Sequence, residues 1–314
     1  MIAEIIRKIE EYDRIIIHRH TNPDGDALGS QIGLKHLIRA TYPDKTVYTV
    51  GDMSKRYAFM AKEPMDEIPE EYYEGALAII LDTSASHLIS DTRYTAAAST
   101  VRIDHHIFCE KIADIELVDT SYESCCGLVT ELSRKGGLKM TAPAATALFT
   151  GMVTDSGRFR YDSTNANTFS LASYLMEYGV DTGEIYRNLY ADDFSFIRLR
   201  AQFVLKVAFT EANVAYIYTT LEEAKGFGVD TFTISRGMVG VMSDVRGVDV
   251  WVNFTETEDG VLCELRSSKY NVNPVAVKYG GGGHAKASGA TVPDRAMAMK
   301  LLADLDALAG GKNE

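Results

Sequence analysis

The sequence predicts an α/β fold: an N-terminal, mostly parallel sheet flanked by helices, then a helical connector, then a smaller C-terminal α/β domain. Three observations predict it. Short β-branched runs alternate with helical patterns through the first half of the 314-residue chain, an order that implies parallel strands joined by crossover helices. Residues 181–210 read as two helical segments broken near Ala191-Asp192-Asp193, with Phe194, Ile197, Ala201, Val204 and Leu205 at helical spacing. From Val214 a new strand and helix pattern begins. The expected boundaries are 1–185 for the first domain, 186–210 for the connector and 211–314 for the second domain.

The elements follow in order. The chain starts as an amphipathic helix over residues 1–11, whose acidic residues and missing apolar core argue against a signal peptide. Residues 14–18 form a β-branched strand, followed by a Pro/Gly loop and a helical pattern over 26–41. Strands are expected at 46–50, 76–81, 100–103 and 112–118, and helices at 124–135, 142–153 and 165–178. The helices should cover both faces of the sheet. In the second domain, strands are expected at 214–219, 248–255, 261–267 and 290–292. Glu258-Asp259-Gly260 is a hairpin turn signal. Helices are expected near 221–224, 234–245 and 294–308, and a glycine-rich loop precedes the last strand.

Composition bounds the chemistry. No apolar run approaches the ~20 residues a membrane-spanning helix needs, so the expected compartment is the cytoplasm. The four cysteines form no Cys-x-x-Cys pair and read as reduced thiols, which disfavours a cysteine zinc site. Net charge is −12, whereas a protein that grips long nucleic acid usually carries a broad basic surface. A substrate with few phosphates is therefore favoured over a long polymer.

Acidic and histidine residues follow the strands at once, where open α/β sheets bind ligands. His20-Thr21-Asn22-Pro23-Asp24-Gly25-Asp26 places one imidazole and two carboxylates in a turn ahead of a helix N-terminus. Leu81-Asp82-Thr83 puts a carboxylate at a strand end, and Asp104-His105-His106 does so at the next. Asp155, in Val153-Thr154-Asp155-Ser156-Gly157-Arg158-Phe159, is expected in a turn after a helix. A lone aspartate at a strand end is usually a cap, and a lone His-His pair is usually surface. Together, in one alternating domain, these groups make a metal site the better reading. Oxygen-rich ligands with a few imidazoles favour Mn²⁺ or Mg²⁺ over structural zinc.

These four motifs, in this order, resemble those of DHH-family phosphoesterases. The tail Gly280-Gly281-Gly282-Gly283-His284-Ala285-Lys286-Ala287-Ser288-Gly289 is similar to the glycine-histidine loop of the DHH-associated substrate-binding domain. Length, order and tail together look like the nanoRNase branch. That branch hydrolyses oligonucleotides of two to five nucleotides to 5'-mononucleotides and 3'-phosphoadenosine 5'-phosphate to AMP. The resemblance implies two Mn²⁺ ions, with Mg²⁺ or Co²⁺ as alternatives. His20 and Asp24 would hold the first, Asp26, His105 and Asp155 the second, and Asp82 would bridge them. Asp104 would orient the site, His106 would face the substrate phosphate, and Arg158 would stabilise developing charge. Arg266, Ser267, Gly281, Gly282, Gly283 and His284 would bind substrate; for Arg266 a surface salt bridge is an equal reading. Cys125-Cys126 stand where relatives show small or hydroxyl residues, and Ser288 where they carry alanine.

The implied partners are short RNA or DNA oligonucleotides or a nucleotide bisphosphate, with no membrane. A homodimer is compatible with the sequence, which does not fix the oligomeric state. A cyclic or linear dinucleotide phosphodiesterase is one alternative. An inorganic pyrophosphatase shares His-x-x-x-Asp-x-Asp, but the tail argues against it. A RecJ-like exonuclease is disfavoured by the acidic balance. A nucleotide-binding sensor without catalysis would be expected to lack a ligand residue, and all six are here.

Overall fold

The computed structural model describes residues 1–61 and 63–311. The chain divides into two compact units, Met1–Ala191 and Asp192–Glu314. Among the described residues no helix is long and apolar enough to cross a membrane.

The first unit is built from α1 (Ile2–Glu11), β1 (Arg14–His18), α2 (Gly25–Thr41), β2 (Thr46–Thr49), β3 (Leu77–Leu81), β4 (Ser99–Asp104), β5 (Ile115–Val118), α3 (Cys125–Gly136), α4 (Ala142–Asp155), α5 (Ala166–Met176) and α6 (Thr182–Tyr190). Its sheet has the order β2-β1-β3-β4-β5, and every pairing is parallel. Strands buried on both faces read as continuous apolar runs, which is why 77–81 was legible as a strand.

The two faces are covered differently. Ile15, Ile17, Leu77, Ile79, Val101 and Ile103 pack against apolar side chains of the α-helices. On the opposite face Ile16, Ala78 and Ile80 meet Val50, Ile68, Tyr73, Ile89 and Tyr94. Those partners lie in loops and short 3₁₀ turns at Glu70–Tyr72, Ser86–Leu88 and Thr92–Ala96. The expectation of helices on both faces is corrected accordingly: the β2–β3 and β3–β4 connections cover one face without forming an α-helix. A second correction concerns Asp155, which is the last residue of α4 and not a turn residue after it.

Helices α2 and α4 cross at close range because the crossing points are glycines. A Cβ added at Gly29 would lie 2.6 Å from the Ala147 carbonyl oxygen and 2.9 Å from Cys126 Sγ. One added at Gly151 would lie 2.2 Å from Cys126 Sγ and 3.1 Å from the Asp26 Cα. This crossing brings the start of α2 beside the end of α4.

The second unit contains α7 (Phe194–Leu205), β6 (Ala208–Phe209), β7 (Ala215–Thr219), α8 (Leu221–Gly226), β8 (Val250–Thr257), β9 (Gly260–Ser267), α9 (Asn273–Lys278), β10 (Gly282–His284), β11 (Ala287–Val292) and α10 (Arg295–Ala309). The sheet order is β10-β11-β9-β8-β7-β6, antiparallel except for β7–β8. Leu199 and Phe203 of α7 are buried with Ile217 and Trp251, inside this unit.

Two expectations for this unit are corrected. Residues 231–242 are continuously helical, but not regular α-helix and not to 245: the middle is a π segment at Thr233–Gly237 and the end a 3₁₀ turn at Gly240–Met242. The side-chain amide of Asn253 donates to the carbonyls of Ile234 and Ser235, at 2.7 and 2.8 Å, and competes with a regular helical ladder. The glycine-rich stretch is not only a loop either, since Gly282–His284 pairs as an edge strand with β11.

Gly151→Val should therefore push α4 away from α2 and destabilise the first unit by about 3 kcal/mol, the upper end for overpacking. Urea unfolding followed by circular dichroism checks this; an unchanged midpoint would refute the close crossing.

Candidate metal and catalytic centre

The carboxyl ends of β1, β3 and β4, the start of α2 and the end of α4 converge on one cluster. His20 and Asp24 come from the β1–α2 loop. Asp24 caps α2, its Oδ1 accepting the amides of Asp26 and Ala27 at 2.9 and 3.0 Å. The His20 Nδ1–H donates to the Thr21 carbonyl at 2.8 Å, which turns Nε2 toward Asp24 (3.9 Å) and Asp82 (3.5 Å).

Asp82 lies between two histidines. Its Oδ2 faces His20, and its Oδ1 lies 3.5 Å from His105 Nε2 and 3.6 Å from His106 Nδ1. Its backbone is left-handed, at φ 50°. Among the described residues five non-glycines have positive φ, and four of them, Asn22, Asp82, Arg158 and Phe159, lie in the motifs. Strain of this kind persists where the surroundings hold a residue in place for another purpose.

His105 Nε2 lies 3.8 Å from Asp26, 3.5 Å from Asp82 and 3.4 Å from Asp155. Asp26 is almost completely buried, and its two oxygens accept the first amides of α3, from Cys125 at 2.7 Å and Cys126 at 2.8 Å. Those cysteines hold the Asp26 carboxylate through their backbone; their buried thiols bond the Ile103 carbonyl (Cys125, 3.2 Å) and the Asp26 carbonyl (Cys126, 3.5 Å), and burial raises both well above the usual range. Asp104 is fully buried and accepts from His106 Nδ1 at 2.7 Å and Arg102 Nη2 at 2.5 Å.

The donor set fits divalent cations. Donors fall into three groups whose atoms lie within 4.8 Å of one another: His20, Asp24 and Asp82; Asp26, His105 and Asp155; and Asp82, His105 and His106. Donors sharing one cation through bonds of about 2.1 Å stand roughly 3.0–3.4 Å apart. The cluster's spacings are near this and longer than ordinary hydrogen bonds. Asp82 Oδ1 is buried without a hydrogen-bond partner, a costly state for a carboxylate oxygen.

Without cations the cluster balances its charge with protons. Burial raises Asp26, and the charges of Asp82 and Asp155 raise it further. Burial, helped by Asp82 and Asp24 against His105, raises Asp155 to about 7. Burial alone would lower His20 and His105, but Asp82 and the other carboxylates outweigh it and raise them to about 9 and about 10. For Asp82 burial is likewise outweighed, by His105 and His20, and its carboxyl is held well below the usual range.

The remaining expected residues are placed as follows. Arg158 is exposed and stacks 4.3 Å from the centre of the Tyr190 ring. Arg266 Nη1 bonds the Leu265 carbonyl at 2.8 Å and Glu264 at 3.2 Å, so the salt bridge is formed. The Ser267 hydroxyl donates to the Asp249 carbonyl at 2.8 Å and accepts the amides of Lys269 and Tyr270, fixing the turn after β9. Gly281 has no room for a side chain, since a Cβ would fall 2.0 Å from the Gly289 carbonyl oxygen; Gly282 has open space; Gly283 has φ 137°. His284 is exposed, and its carbonyl accepts the Ser288 hydroxyl at 2.8 Å. The second unit's residues share its β9-β11-β10 edge.

Sequence reading missed two buried arginines. Arg19 bonds Gln31, the His20 carbonyl and Asp52, and Asp52 in turn accepts the Asn22 amide at 2.8 Å, which braces the first motif. Arg102 stands behind Asp104. A basic residue inside a β-branched strand, as in Val101-Arg102-Ile103-Asp104, was the available signal: two residues before Asp104, it shares its face of the strand.

Comparison with known proteins assigns both units to known domain families. The model of the DHH family, N-terminal domain, matches residues 14–152, and that of the DHHA1 domain matches residues 213–311. Over 311 residues, 98% of each chain, the sequence is 36% identical to the bifunctional oligoribonuclease and PAP phosphatase NrnA of Bacillus subtilis. The chain belongs to the DHH family. Another DHH relative, the probable bifunctional oligoribonuclease and PAP phosphatase NrnA of Streptococcus mutans, is 36% identical over 91% of this chain and 92% of its own. The crystal structure of an exopolyphosphatase-related protein from Bacteroides fragilis superposes with a TM-score of 0.85 at 27% identity, covering 97% of this chain and 95% of that one.

Cation binding through His20 and His105 must expel their protons, which are present at pH 7 when the rings titrate near 9 and 10. Binding of Mn²⁺ at pH 7 is expected to release about two protons from the histidines, with Asp155 and Asp26 adding to that, and to tighten as pH rises toward 10. Calorimetry in buffers of different ionisation enthalpy measures the release; a value below about one would remove both histidines from the ligand set.

Proposed function

We propose that this chain hydrolyses oligonucleotides of two to five nucleotides to 5'-mononucleotides and 3'-phosphoadenosine 5'-phosphate to AMP. The observation that carries the reading is Asp82, a buried carboxylate with one oxygen toward His20 and the other toward His105. It suits one ligand shared by two cations, in a chain whose relatives are named for both activities.

His20, Asp24 and Asp82 would hold one cation, and Asp26, His105, Asp155 and again Asp82 the other; Mn²⁺ is the ion we favour, with Mg²⁺ and Co²⁺ as alternatives. Such a pair, when bound, supplies an activated water at neutral pH and neutralises phosphate charge. The chain's own residues do the rest. Asp104 holds the Nδ1–H of His106, so Nε2 is free to meet a phosphate oxygen. Arg158, held against Tyr190, adds positive charge. Arg266, Gly281, Gly282, Gly283 and His284 bind the nucleotide, with Ser267 shaping the turn beside them.

Both reactions break the bond between O3' and phosphorus. The oxygen of water joins phosphorus, and a proton ends on O3'. One site therefore serves a phosphodiester and a 3'-phosphate. The net charge of −12 fits a substrate with few phosphates.

The test offers a dinucleotide, a pentanucleotide, a long RNA, 3'-phosphoadenosine 5'-phosphate, a cyclic dinucleotide and pyrophosphate in Mn²⁺. The short RNAs and the phosphoadenosine phosphate should turn over, and the long RNA slowly. Asp82→Ala should cut activity by more than the about 100-fold typical of losing an outer-shell partner. Turnover of pyrophosphate alone, or an active Asp82→Ala, would reject the proposal.

A further inference from the structure

Arg102 and Asp104 form an ion pair with no exposed surface on either side chain, directly behind the cluster. A buried pair of this kind contributes little to stability over an apolar pair of equal volume. Its geometry suggests another use. Asp104 accepts from Arg102 Nη2 at 2.5 Å, from the His106 Nδ1–H at 2.7 Å and from the His106 amide at 3.3 Å. The His106 side chain, by contrast, is 45% exposed, so its outer edge is accessible to a ligand.

Arg102 also holds the chain on the far side of His106. Its Nη1 donates to the Glu110 carbonyl at 3.0 Å, and Nη2 donates to the Ser84 carbonyl at 3.2 Å. Glu116 lies 3.6 Å from Nη1. The Glu110 side chain is tied in turn to the amide and hydroxyl of Ser86. One guanidinium thus fixes the carboxylate that orients the ring, the segment that follows it, and the loop after Asp82. With Arg102 Nη2 and the His106 Nδ1–H both directed at it, Asp104 accepts from the ring and fixes which edge of His106 faces outward.

We infer that Arg102 is a positioning residue for the phosphoester reaction: through Asp104 it fixes the tautomer and direction of His106, presenting Nε2 to the substrate. The inference rests on the hydrolytic reading above. Arg102 touches none of the six donors proposed to hold cations, so its effect should be separable from metal binding.

Arg102→Met should lower kcat roughly 10- to 100-fold, the scale of a misplaced catalytic group, with KM and Mn²⁺ affinity nearly unchanged. Arg102→Lys, which keeps the charge, should regain most of that loss. In a double-mutant cycle, Arg102→Met combined with His106→Ala should be no slower than His106→Ala alone, within about threefold. If the two losses add, Arg102 does not act through His106 and the inference falls. A loss of Mn²⁺ affinity as large as the loss of kcat would also overturn it, by making Arg102 a general support. Should Arg102→Met fail to fold, Asp104→Asn enters the same cycle with the same expectation. Nitrogen-15 spectra of the full-length protein supply a readout free of turnover: His106 should be the Nδ1–H tautomer in the wild type and a mixture in Arg102→Met. An identical tautomer in both overturns the inference even if the wild type hydrolyses nothing, an outcome that would reject the hydrolytic reading separately.

Discussion

A carboxylate with almost no exposed surface must find donors or lose its charge, and Asp26 finds them in the first amides of α3. The rest of the centre depends on that arrangement. It ties α2 to α3, while the glycine crossing ties α2 to α4, so three helices are registered against one residue. The end of α4 then brings Asp155 within 3.4 Å of His105. The strands supply the opposite wall, because β1, β3 and β4 are parallel neighbours and end at one level. A helix N-terminus favours an anion, which offsets part of the burial and carboxylate repulsion that raise Asp26.

Much of this was legible in the sequence. The strand at Arg14–His18 was read with both ends correct, since a β-branched run bounded by a loop has few other readings. The six proposed donors converge because each motif follows a strand or ends a helix at the same edge of the sheet. What was not legible depends on contacts distant in sequence. Arg19 and Arg102 carry no motif, and their partners Asp52 and Glu110 lie 33 and 8 residues away. The cover on the second face of the sheet is made by segments without periodicity, which sequence patterns cannot place.

The second unit shows the same division. The hairpin of β8 and β9 followed from its turn signal, whereas the π segment at 233–237 lies where Asn253, a residue on a strand distant in sequence, bonds the helix carbonyls. The glycine stretch was read, by resemblance, as a substrate-binding loop. At Gly281 and Gly283 the glycines also have a packing reason, because a Cβ at either would fall on the backbone of β11. Ser288, an apparent departure from relatives, holds that edge by bonding the His284 carbonyl.

Cys126 gives the first unit one further property. Its sulfur occupies the space that side chains at positions 29 and 151 would need. Positions 126 and 151 therefore share a single small volume, while at 29 the Ala147 carbonyl excludes a side chain whatever stands at 126. A smaller residue at 126 releases room at 151, and a larger one closes it. α3 serves the Asp26 carboxylate through its amides, and the Cys126 thiol adds a bond to the Asp26 carbonyl at 3.5 Å. Across related chains positions 126 and 151 should trade volume with each other, while position 29 stays glycine.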